Sequence, residues 1–159
     1  MAPDSVFSII NMMVLPAWLV LVIVPLFLPR WGGPQALAFG TIVPLLCGVY
    51  AAGLIKLFAE GNGFDGESFS SLASVMALFT NPWAALIGWA HVLAFDLFVG
   101  AWIVRDARVS RVPHLLIIVP LFFTFMAGPF GLLLYLILRQ LRRRTFLPMP
   151  HPFADQSSI

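Results

Sequence analysis

The chain has 159 residues, of which 60% are hydrophobic and 10% charged; its mean hydropathy is +0.96 and its formal net charge +2. A soluble domain carries roughly 25% charged residues, so these side chains cannot cover a water-facing surface, and lipid is the expected solvent. So small a net charge gives no basis for binding nucleic acid, and the single cysteine, Cys47, permits no internal disulfide and reads as a packing residue.

Charge spacing locates the spans. No Asp, Glu, Lys or Arg stands between Asp4 and Arg30, between Arg30 and Lys56, or between Arg111 and Arg139. Each gap exceeds the ~20 apolar residues that cross a hydrocarbon core. A fourth run, Pro82 to Val104, is interrupted only by His91 and Asp96. The runs are continuous rather than alternating, which argues against a β-barrel. The predicted class is all-α: an integral membrane bundle of four transmembrane helices near Ser5–Leu28, Pro34–Phe58, Pro82–Val104 and Pro113–Leu138, with a short interfacial helix between the second and third. The helices form one domain over residues 1–144, followed by a proline-containing tail over 145–159. The N-terminus lacks the basic residues, short apolar core and cleavage site of a removable signal.

In chain order, helix one holds Pro16, Pro25 and one strongly polar side chain, Asn11. Prolines bend membrane helices; Asn11 reads as an interhelical hydrogen bond, with substrate contact as the other option. Arg30 to Pro34 is a short turn with Trp31 at interface depth, and Pro44 bends helix two. Glu60 to Glu67 is a turn-rich loop whose ligand spacing does not fit a calcium loop. Leu72, Val75, Met76 and Phe79 then recur at helical spacing, predicting an amphipathic helix on the membrane surface, capped by Ser68 or Ser70, with Asp65 and Glu67 suiting its N-terminal end. Helix four ends in Arg139, Arg142, Arg143 and Arg144, suited to lipid phosphates. With four spans both chain ends share one side, which holds Lys56 and four arginines against Arg30, Arg105, Arg108 and Arg111 opposite. That balance leans weakly toward both ends inside.

Ionisable groups deep in a membrane helix are functional candidates by default; an Asp there is disfavoured by roughly 2.5–3.5 kcal/mol. His91 and Asp96 are separated by about 7.5 Å of rise and about 140° of rotation. They lie at the edges of an arc that also holds Gly88, Val92, Phe95 and Val99, too far apart for a direct hydrogen bond but placed to flank an elongated ligand. The alternative is that each ties α-helices together. In an antiparallel hairpin turning near Val109, Gly128 falls level with His91, and Gly128-Pro-Phe-Gly131 puts missing side chains and a kink there. A second polar cluster is expected at the turn: Arg105, Asp106 and His114, either a proton-transfer pair or an Arg105–Asp106 salt bridge. Asp96, His91, His114 and Asp106 are therefore the catalytic candidates. Trp89, Phe95, Trp102, Gly128 and Arg105 are the ligand-contacting ones. Three histidines in no paired spacing cannot build a di-iron site, and no nucleotide or thiol-redox motif is present. Neither a metal nor a cofactor is expected. What remains is proton chemistry on a lipophilic molecule, or binding of one.

Gly88-Trp-Ala-His-Val-Leu-Ala-Phe-Asp-Leu-Phe-Val-Gly100 with Trp102, then Val112-Pro-His-Leu115, then Gly128-Pro-Phe-Gly-Leu-Leu-Leu-Tyr135 and Arg139 resembles the neoxanthin synthase family, the abscisic-acid-deficient type of membrane protein. The likeness is close over residues 78–139 and looser before. It implies a four-helix membrane protein connected with carotenoids, and a reaction in which an epoxide opens, the adjoining polyene carbon loses a proton and an allene forms without electron exchange. Plant members carry an aromatic residue where Val92 stands and a basic one where Ala101 stands, so the resemblance leaves the substrate open to another carotenoid or a different isoprenoid. The expected partners are that lipophilic molecule and membrane lipids, in a bacterial inner membrane or, for a plant or algal chain, a plastid membrane, with homo-oligomerisation left open. The other reading is a non-catalytic carotenoid- or lipid-binding partner.

Overall fold

A computed structural model describes residues 2–61, 63, 64 and 66–143. The expected roles of Asp65 and Arg144, and the tail from residue 145, fall outside them. The described chain is helical: α1 Pro3–Phe27, α2 Gly33–Leu37, a π-helical turn Ala38–Ile42 running into α3 Val43–Ala59, α4 Leu72–Leu78, α5 Pro82–Val109 and α6 His114–Arg143. No strand occurs among the described residues. Four of the segments, Pro3–Phe27, Gly33–Ala59, Pro82–Val109 and His114–Arg142, are long and apolar enough to cross a membrane. This is an all-α membrane protein.

α5 is the central rod. Half of its apolar window is buried, against a third or less for the other three. α1 runs parallel to it: Asn11 meets Trp89, and Trp18 lies where a side chain at Gly100 would stand. The α2–α3 rod runs antiparallel: Lys56 sits over the Trp83 ring, Gly53 presses on Ile87 and Phe39 packs edge-on against Phe98. The short helix α4 forms as the apolar spacing predicts, with Leu72 and Met76 exposed. Its cap is Ser71, whose Oγ accepts the Ser74 N–H at 3.1 Å, rather than Ser68 or Ser70. Ser70 instead donates to the Glu67 carbonyl, because the helix starts a residue later than those positions require.

α6 departs from the straight fourth span. Its backbone is non-helical at Ala127 (φ −156°, ψ 63°), and there the chain reverses. Along a straight antiparallel pair, partners on α5 and α6 would run in opposite directions. Instead they climb together: Asp96 with Gly128, Trp102 with Tyr135, and Asp106 and Ser110 with Arg139. Within α6 the two arms face each other. Phe123 and Phe130 pack edge-on at 5.1 Å, and a side chain at Gly131 would overlap the Thr124 backbone and the Pro120 carbonyl. Residues 114–126 rise about 20 Å and residues 128–143 about 24 Å. Either arm alone is shorter than the ~30 Å hydrocarbon core, so the pair is a helical hairpin entering and leaving at one end. The sequence permits this because Pro129 has no N–H to give to Phe125 and its ring opposes that carbonyl, while Gly128 and Gly131 leave room for the arms to close.

The reversal changes the charge map. The two ends of the described chain lie at opposite ends of the bundle, not on one side. Arg30, Arg105, Arg108, Arg111, Arg139 and Arg142 gather at the α5 C-terminal end, whereas Lys56 lies at the other with Asp4, Glu60 and Glu67. By the positive-inside rule the arginine end faces the compartment from which the chain inserts. In a bacterial host, a fluorescent protein fused to the C-terminus is therefore expected to fluoresce in the cytoplasm, and an N-terminal epitope to be reached only from outside. An epitope reached from the cytoplasm would return both ends to one side.

Candidate functional site

Asp96 sits near the middle of α5, half-buried, at the level of the α6 reversal. Its carboxylate accepts the Gly128 N–H. Breaking α6 at Ala127 frees the first amides of the return arm, which need acceptors in a region without water. Asp96 supplies one and places a negative group at the positive end of that arm. Any side chain at Gly128 would overlap the carboxylate. The small residue expected opposite His91 thus stands opposite Asp96, because the hairpin shifts the register.

His91 and Asp96 share no hydrogen bond, as their spacing predicts, although they are within electrostatic reach. The His91 ring is exposed on the bundle surface, stacked on Phe95 at 4.5 Å and 5.8 Å from Tyr50. Phe95 lines an apolar crevice of about 270 Å³ with Val43, Cys47, Ala94 and Phe98. Trp89 belongs elsewhere: its Nε1–H donates to Asn11 Oδ1 at 3.3 Å, which is the interhelical bond Asn11 was expected to make.

The cluster expected at the α5–α6 turn does not form. Arg105 does not pair with Asp106, and His114 does not meet it. Asp106 Oδ2 instead accepts the Tyr135 hydroxyl at 2.5 Å and the Ser110 hydroxyl at 3.2 Å, and pairs with Arg139 Nε at 2.8 Å. Arg139 Nε also points to Ser110 Oγ at 3.2 Å, and Trp102 caps Tyr135 edge-on at 5.7 Å. The Asp106 and Arg139 side chains are only 10% and 8% exposed. This buried ion pair locks the return arm of α6 to α5 and leaves Asp106 no opening to a substrate. The sequence does not mark Tyr135, Arg139 and Ser110 as its partners, since a straight helix would carry Tyr135 and Arg139 to the far side.

His114 faces α1. Its Nε2 lies 2.9 Å from the Val22 carbonyl, an acceptor, so Nε2 carries a proton, and in the neutral ring Nδ1 bears the lone pair. The ring lines a cavity of about 280 Å³ with Pro25, Pro29, Val104, Arg108, Arg111 and Pro113. Arg111 holds a left-handed backbone (φ 53°) at the tight α5–α6 turn. Val22 also heads a purely apolar groove of about 360 Å³ between α1 and the inward arm of α6, walled by Leu15, Trp18, Leu121, Phe122 and Phe125. The His114–Val22 contact thus links a residue of the rim cavity to a residue of the groove. No group of three or more His, Cys, Asp or Glu side chains that could hold a metal occurs among the described residues.

These features define the class: an all-helical protein with four segments long and apolar enough to cross a membrane. The chain belongs to the ABA DEFICIENT 4-like family, whose model matches residues 5–135. Membership ties it to carotenoid- and xanthophyll-related function. No curated protein and no solved structure matches it significantly.

Proposed function

We propose that the protein receives a xanthophyll or related isoprenoid with its polyene in the α1–α6 groove and its ring at the rim, and opens a ring epoxide there by acid–base isomerisation. The observation carrying this is the His114–Val22 contact, which joins a residue of the arginine-lined rim cavity to a residue of the dry groove. Nδ1 of neutral His114 takes the proton from the polyene carbon next to the ring. The C–H electron pair becomes the second double bond of the allene as the adjacent epoxide C–O bond breaks. The oxygen stays on the neighbouring ring carbon as an alkoxide, steadied by the Arg111 guanidinium, and regains a proton from the imidazolium. Atoms balance and no electron acceptor is needed. Phe95, on which His91 stacks, lines a separate crevice, a place for polyene contact rather than proton transfer.

A second reading draws on the carboxylates. Asp96 caps the return arm and Asp106 is locked to Arg139, so both acids expected to do chemistry serve the fold. That favours pigment binding without turnover. Expression in a bacterium that accumulates an epoxy-xanthophyll separates the two by chromatography. Catalysis gives a new allenic peak that falls at least about 100-fold in His114→Ala, as loss of a general base requires. Unchanged pigment co-purifying with the protein selects binding. Neither a new peak nor bound pigment would remove both.

A further inference from the structure

A second cavity at the arginine end, which shares only Arg108 with the His114 cavity, carries a feature that packing does not explain. It measures about 280 Å³ and is lined by Gly32, Gln35, Ala36 and Phe39 from the α2–α3 rod and by Arg105 and Arg108 from α5. Gln35 is 7% exposed, yet neither its Oε1 nor its Nε2 has a hydrogen-bond partner among the described residues. Nη2 of Arg108 is likewise buried and unpartnered. Neither Arg105 nor Arg108 forms a salt bridge to a described carboxylate. A buried, unsatisfied carboxamide is unfavourable, and more so in a lipid surround. Its presence beside two uncompensated guanidinium groups is what a site built for an oxyanion requires.

We propose that this cavity binds the phosphate group of an anionic amphiphile. Arg105 and Arg108 stand one helical turn apart on the same face of α5, so both guanidinium groups can reach different oxygens of one tetrahedral phosphate. Gln35 Nε2 donates a third hydrogen bond from the opposite wall. Trp31, exposed in the preceding turn, marks interface depth, and Phe39 gives the cavity an apolar floor against Phe98. A phospholipid headgroup fits that setting: phosphate among the arginines, acyl chains along the bundle. Basic pockets between membrane helices on the inserting side take such headgroups. The same oxyanion chemistry would also accept soluble phosphate. The inference stands apart from the pigment reading, and its variants are chosen at Gln35 and Arg105, which do not line the His114 cavity.

The experiment uses the full chain purified in lipid-free detergent. Its melting temperature is followed against short-chain phosphatidylglycerol, short-chain phosphatidylcholine and inorganic phosphate, with bound lipid read by native mass spectrometry. Phosphatidylglycerol is expected to raise the melting temperature and to bind at least tenfold more tightly than phosphatidylcholine. Arg105→Ala is expected to weaken that binding about tenfold. Gln35→Leu has two opposite effects: the lipid-free protein melts higher, because the unsatisfied amide is gone, and the phosphatidylglycerol increment shrinks. An equal response to inorganic phosphate supports the oxyanion site and assigns it to a soluble source. Equal binding of both lipids, or undiminished phosphatidylglycerol binding in both variants, would overturn the proposal.

Discussion

Asp96→Ala is expected to destabilise the protein by about 3 kcal/mol, whereas Asp96→Asn is expected to leave stability unchanged or raise it. The alanine removes the acceptor that Gly128 N–H uses, and a backbone donor left bare in hydrocarbon is disfavoured by several kcal/mol. Asparagine keeps an acceptor oxygen of the same reach while shedding a charge that is itself unfavourable at mid-membrane depth. Gly128→Val attacks the same contact from the other side, since its side chain would occupy the space of the Asp96 carboxylate and force the return arm away. Thermal melts in detergent distinguish the roles. A capping carboxylate separates Asn from Ala in melting temperature; a proton-transferring carboxylate would lose pigment conversion equally in both and leave the melts alike.

The second large effect concerns Asp106 and Arg139. Either Asp106→Leu or Arg139→Met alone strands a buried charge and is expected to lower stability by about 3–5 kcal/mol, while the double substitution recovers most of the loss. The double-mutant cycle should therefore return a coupling of at least about 3 kcal/mol. Such coupling requires the side chains to touch, as they do at 2.8 Å. Additive losses would mean that the second arm of α6 is not seated on α5. Tyr135→Phe, which removes one of three partners of the same carboxylate oxygen, is expected to be milder, about 1 kcal/mol.

The sequence makes the membrane class, the four apolar segments and α4 legible, because charge spacing and apolar periodicity are local properties. Asn11 is legible too, since a lone amide in an apolar helix needs a partner and Trp89 provides it. The Gly128-Pro-Phe-Gly131 motif signals a break, but its angle is not local. A proline and two glycines look the same in a bent span and in a reversed one. What distinguishes them is whether Asp106 finds Arg139, a contact between residues far apart in the chain. By composition the arginines after the apolar stretch fit either face, and only the reversal gathers them with Arg105, Arg108 and Arg111. Asp106 and His114 are close in sequence, which suggests a pair; in the fold the α5–α6 turn aims one at the return arm and the other at α1. Gln35 gives no signal in the sequence beyond its position at a helix start, because an unsatisfied side chain becomes visible only once its neighbours are placed.

The path of α6 decides the charge map, the capping role of Asp96 and the burial of Asp106. Leu115 and Leu141 are 70% and 78% exposed and take spin labels after Cys47→Ala without disturbing the core. Along one straight helix rising about 1.5 Å per residue they would stand about 39 Å apart. In the folded-back hairpin both lie at the arginine end, separated by one helix packing distance plus the label arms, roughly 10–25 Å. A pulsed electron-resonance distance in the short range is the expected result; a single population near 39 Å would contradict it.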